Sequence, residues 1–149
     1  MTHGVAIASG TAALHVSLLA AGVGPDDEVV TSALSFIAPA NAIRYTGAIP
    51  RFVDAEPLHW QMDVEQAIAY LRDGCEPTDG GLRSRETGRR VGAILPVHIL
   101  GHAVDVVPLL DVAREFGVPV IADAAEAGGA AYRGRPVGVR EDAGCRSLT

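Results

Sequence analysis

Short runs of branched apolar residues alternate with helically spaced segments along this sequence, and that alternation leaves few folds open. Glu28-Val29-Val30-Thr31, Arg51-Phe52-Val53-Asp54, residues 91–97 and Val120-Ile121-Ala122-Asp123 have the length and residue types of strands. Between them lie amphipathic patterns: Leu14, Leu18 and Leu19 on one face, then residues 36–45, 63–71 and 105–116. Strands separated by helices cannot pair through tight hairpins. They run parallel, with right-handed crossovers that place helices on both faces of one sheet. The expected fold class is therefore α/β, with a mostly parallel sheet. Val5-Ala6-Ile7-Ala8 is expected to add a strand ahead of the first helix.

Punctuation residues support these boundaries. Gly22, Gly24-Pro25, Gly47 and Gly117 close helices, and Asp63 is placed to cap one. Residues 73–90 break the rhythm, being polar, rich in glycine and without periodicity. They read as a surface insertion, because alternation resumes immediately afterwards. The arginines in this stretch, Arg83, Arg85, Arg89 and Arg90, read as solvated, with an anionic ligand as the alternative. Residues 131–137 resemble a small hairpin, and Gly144-Cys145-Arg146-Ser147 reads as a strand just beginning. A single domain is expected at 149 residues, and the strands so near both ends make it an incomplete one.

Charge narrows the partners. A formal net charge of -6 is unsuited to a nucleic-acid or anionic-membrane surface. No apolar run has the length of a membrane span. Ser9, Thr11, His15 and Ser17 interrupt the Ala/Leu-rich start, and no Lys or Arg precedes it, which argues against a signal peptide. Cys75 and Cys145 lack metal-like spacing and suit a reducing cytoplasm.

Candidate sites follow from what sits at strand ends. Asp123 closes an apolar run and is followed by small residues. It reads equally as a ligand carboxylate at the carboxyl end of a core strand or as a helix N-cap before Ala-Ala-Glu. Ser9-Gly10-Thr11-Ala12 lies where a helix begins, which suits an ordinary Ser/Thr cap or a phosphate-sized anion site. It is neither a Walker A loop nor a dinucleotide fingerprint. Phe36 reads as a core residue, or as a ring lying over a ligand. His98 and His102 straddle Gly101 off any helical face, so metal binding is not expected there. Cys145 reads as a small buried residue.

Taken together, several motifs resemble the DegT–StrS sugar aminotransferases. They are Ser9-Gly10-Thr11-Ala12-Ala13-Leu14-His15, Ser35-Phe36-Ile37-Ala38-Pro39-Ala40-Asn41-Ala42 and Phe52-Val53-Asp54. Pro96-Val97-His98-Ile99-Leu100-Gly101, Asp123-Ala124-Ala125-Glu126 and Gly144-Cys145-Arg146-Ser147 follow in the same order. The resemblance implies the large domain of an aspartate-aminotransferase-like, type I pyridoxal-phosphate (PLP) fold. It also implies PLP as cofactor, keto nucleotide sugars as substrates, glutamate as amino donor and a homodimer. Residues 73–90, with Thr87-Gly88-Arg89-Arg90 before the strand, and Glu126 after Asp-Ala-Ala resemble a branch acting on 4-keto nucleotide sugars, as in bacillosamine and legionaminic acid routes.

By the same resemblance Asp123 partners the pyridine nitrogen, a role suited to a buried carboxylate that keeps this nitrogen protonated. Glu126 falls where the family usually has Gln or His near the ring hydroxyl. Gly10, Thr11 and Ala12 match the phosphate turn, Ser147 a hydroxyl joining it, and Phe36 the aromatic stacked on the ring. One departure is large. The family's Schiff-base lysine lies a few residues beyond Ser147, whereas all 12 basic residues here are arginine and no lysine occurs. Arg146 and Leu148 also depart from the residues expected there. No catalytic residue is therefore assigned, and the expectation is the N-terminal half of a large domain, inactive by itself. The alternatives are a lysine-free, sugar-dehydratase-like protein using PLP or its amine form PMP, and a non-catalytic partner of a full-length homologue.

Overall fold

In the structure, a computed structural model, residues 3–147 are described. Three strands form its central ladder: β1 (Glu28–Ser32), β2 (Ile49–Val53) and β5 (Val91–Leu95), in the order β2-β1-β5 and all parallel. β6 (Ile121–Asp123) and β9 (Ala143–Cys145) form a second parallel ladder. Parallel bridges Ile94↔Val120 and Val97↔Asp123 join the two. Every residue of β1, β5 and β6 is buried, as parallel strands covered on both sides require. β2 is a ladder edge, where Pro50 removes no needed donor and Phe52 is exposed.

Alternation along the strands sorts the core into two layers. Val30, Val53 and Ile94 face α3 (Val64–Asp73) and α4 (Val106–Glu115), packing on Ala67, Leu71, Leu109 and Val112. Val29, Ala93, Leu95 and Ile121 face the opposite way, onto Leu14 and Leu18 of α1 (Gly10–Ala20) and Ala42 and Ile43 of α2 (Ile37–Tyr45). Helices thus cover both faces. Asp63 caps α3 by accepting the Gln66 N–H at 3.0 Å. Gly117 follows α4 with φ 66°, a left-handed turn that favours glycine. β9 reaches its place because Gly144 has no side chain: a Cβ there would lie 2.0 Å from the Gly138 carbonyl oxygen.

Two expectations change. Residues 5–8 form no strand; Val5 is 84% exposed, and no ladder partner reaches them among the described residues. Branched composition alone made them look like a strand. Residues 73–90 contain an antiparallel hairpin, β3 (Cys75–Thr78) with β4 (Gly81–Ser84). It is ordered by inward Cys75, Leu82 and Ser84 and by polar contacts to the sheet. Thr87 Oγ1 and the Tyr70 hydroxyl donate to the two oxygens of buried Glu28 at 2.5 and 2.6 Å, and Arg90 donates from Nε and Nη2 to the two oxygens of Asp27. A further small hairpin, β7 (Ala131–Tyr132) and β8 (Arg135–Pro136), forms where expected.

Candidate cofactor site at the carboxyl ends of the strands

Asp123 ends β6 and is 7% exposed. No helix follows it, so the N-cap reading fails; instead Oδ1 accepts the Ala125 N–H at 3.1 Å, bracing a turn. Burial pushes its carboxyl above the usual range, and the like charge of Glu126 adds to this, against the Ala125 bond and the neighbouring His98. A buried carboxylate of this kind is a ready partner for a cationic N–H.

α1 packs against β6 and β9, which brings its N-terminus to the same end of the sheet. The Ser9 hydroxyl caps the helix, accepting the Ala12 N–H at 3.2 Å. That bond uses the Ala12 amide and leaves the first-turn amides of Gly10 and Thr11 without an intrahelical acceptor. Ser147 lies alongside, since a Cβ on Gly10 would stand 3.7 Å from the Ser147 Cβ. Cys145 is buried, as expected, with its sulfur 3.4 Å from Ser17 Oγ. Gly10, Thr11 and Ser147 thus meet around a helix N-terminus, a placement suited to phosphate.

The remaining candidates divide. Phe36 is 67% exposed, which overturns the core reading. It precedes α2 and lines a shallow cavity of 220 Å³ with Ser32, Ile37 and Phe52. Glu126 is exposed, and its Oε2 accepts the Leu100 N–H at 2.7 Å. The carboxylate thereby pins a turn in which Leu100 has φ 57° and Gly101 φ 77°. His98 is buried and His102 exposed, and no metal-ligating cluster occurs among the described residues. Leu148 lies outside the described residues.

A wider cleft of 620 Å³ opens between residues 56–65 and 102–105. Three of its four acids are structural: Glu56 accepts the Leu58 and His59 amides, Asp63 caps α3, and Asp105 takes the Tyr132 hydroxyl and Arg133. Sequence reasoning missed Glu141, which is buried against His98. Nothing in the polar run Arg140-Glu141-Asp142 marks one acid as internal.

Residues 1–148 match the DegT/DnrJ/EryC1/StrS aminotransferase family. The chain belongs to this family. GDP-perosamine synthase from Caulobacter vibrioides is 40% identical over 136 residues, covering 91% of this chain and 32% of that protein. The chain therefore spans about a third of the length of that curated relative. The crystal structure of 3-amino-5-hydroxybenzoic acid synthase matches 99% of the chain and 34% of its own at 31% identity, with TM-score 0.82. A Streptococcus pneumoniae protein solved in its PLP-form matches 95% of the chain and 36% of its own at 25% identity, with TM-score 0.73. Family and architecture agree with the resemblance read from the motifs.

Proposed function

We infer that these residues form part of the PLP-binding large domain of an aminotransferase acting on keto nucleotide sugars. The buried Asp123 carboxylate at the carboxyl end of β6 carries this reading. The donor set fits the cofactor: an acid for the ring nitrogen, helix N-terminal amides and Ser147 for the phosphate, and an exposed Phe36 for the ring face. When bound, PLP supplies an electron sink that lets an amino group move between donor and keto acceptor. Asp123 would hold a proton on the ring nitrogen, and Gly10 and Thr11 would orient the phosphate through their amides. Glu126, already bound to Leu100, would face the ring as an acceptor.

The finer features rest on the family resemblance and on the names of relatives such as GDP-perosamine synthase. They are a cytoplasmic homodimer, glutamate as donor, and residues 73–90 as an insertion typical of enzymes for 4-keto sugars. Covalent attachment needs an amine, which the absence of lysine removes; arginine stays protonated and does not replace it. Residues 1–149 alone are thus proposed to bind PLP reversibly and to be inactive. The test is borohydride treatment of the chain, with its N-terminal amine acetylated, in excess PLP. Dialysis should then remove all cofactor absorbance. A retained, reduced adduct overturns the reading.

A further inference from the structure

A pair of buried ionisable side chains, one of them on the residue whose backbone N–H binds the Asp123 carbonyl, is left unused by the cofactor reading. The side chains of His98 and Glu141 are 1% and 2% exposed, with His98 Nε2 3.5 Å from Glu141 Oε1. That separation is long for a hydrogen bond, and no other acceptor reaches Nε2 among the described residues. On the other edge of the ring, Nδ1 accepts the Val104 N–H at 3.0 Å. A nitrogen that accepts carries no proton, so the neutral imidazole bears its proton on Nε2, facing Glu141. Glu141 Oε2 accepts the Arg140 N–H at 2.9 Å. Burial pushes the Glu141 carboxyl up, but His98 and the backbone amides outweigh this and hold it below the usual range. The backbone ties the pair to the cofactor acid: the His98 N–H donates to the Asp123 carbonyl, and the Asp123 N–H to the Pro96 carbonyl, each at 2.9 Å.

A buried N–H without an acceptor is costly, so the Nε2 proton needs an acceptor. Glu141 stands 3.5 Å from Nε2, Asp123 is joined to His98 through the backbone and interacts with it electrostatically, and the third acid of the site, Glu126, is engaged by Leu100. We propose that Glu141 is a positioning residue: by acting as acceptor for the His98 Nε2–H it keeps the imidazole off Asp123, whose carboxylate stays open to the cationic N–H of a bound heteroaromatic ring. This rests on the cofactor reading for the identity of the ring. It assigns to Glu141 and His98 a role in setting the strength of that contact.

Two measurements test it on the chain as it stands. Nitrogen NMR of the His98 ring at neutral pH should find the proton on Nε2 and Nδ1 bare; an imidazolium, or a proton on Nδ1, overturns the proposal without reference to any ligand. The second compares binding of PLP with that of its analogue carrying CH in place of the ring nitrogen. The parent chain should prefer PLP by about tenfold or more, the scale of a charge-assisted hydrogen bond. Glu141→Leu, which offers no acceptor, should reduce the preference to about threefold or less as His98 turns to Asp123. Glu141→Gln, whose carbonyl still accepts, should retain it. A folded Glu141→Leu with undiminished preference sinks the idea, as does equal loss in the Gln variant. Failure of the parent chain to bind either compound counts against the cofactor reading, and a variant that fails to fold leaves the decision to the NMR measurement.

Discussion

Asp123 is held in a form that opposes stability. Its carboxyl titrates above the ordinary range because burial disfavours the charge. In the acid range the folded state therefore binds more protons at this site than the unfolded state. The contribution of Asp123 to stability falls as pH rises through that range, and above the folded pKa the full cost of the buried charge remains. Glu141 has the opposite sign: its lowered pKa contributes stability above the ordinary carboxylate range, lost as pH falls through the folded value. Asp123→Asn keeps the Oδ1 acceptor for Ala125 and removes the charge. We expect it to gain about 1 kcal/mol at neutral pH, the usual scale when a functional site is relieved of strain. Thermal melts at pH 7 and in mild acid check this, and the gain should shrink in acid. The same variant should lose affinity for PLP.

The β3–β4 hairpin shows why an element can escape notice. Residues 73–90 are polar because most of them face solvent, and no helical or strand period marks the few that turn inward. What orders the segment lies elsewhere in the chain: Glu28 at the start of β1, Asp27 beside it, and Tyr70 on α3. Glu28 is buried and receives its two side-chain donors from Tyr70 and Thr87. Tyr70→Phe removes one donor and should cost about 1–3 kcal/mol. Denaturant melts give the total. Amide exchange should show residues 75–84 loosening more than the sheet, whereas a uniform change would argue against the hairpin depending on this contact.

Across the whole molecule, stability concentrates in the parallel strands. β1 and β5 are buried throughout and have neighbours on both sides, whereas residues 5–8 have none among the described residues. Amide exchange should be slowest in Val29–Val30 and Ala93–Leu95, opening there only with global unfolding, and fast across residues 5–8. Comparable protection in residues 5–8 would restore the strand that their composition suggested.

Local chemistry determined the alternation of elements. Branched runs, helix caps at Ser9 and Asp63 and glycine at 117 act over a few residues, so those elements were legible in order, as was the family. The acid at the end of β6 was legible as a candidate, but its choice between cap and ligand group was not. That choice depends on whether the chain continues as a helix after Ala125, and packing against β9 and the turn at Leu100 decided it. Phe36 looked internal because residue type does not say which side of a helix start faces water. Glu141 and His98 lie 43 positions apart and were invisible as a pair. Their meeting depends on the path of the chain beyond β5 and ahead of β9, which brings together side chains whose separate neighbourhoods in the sequence give no sign of it.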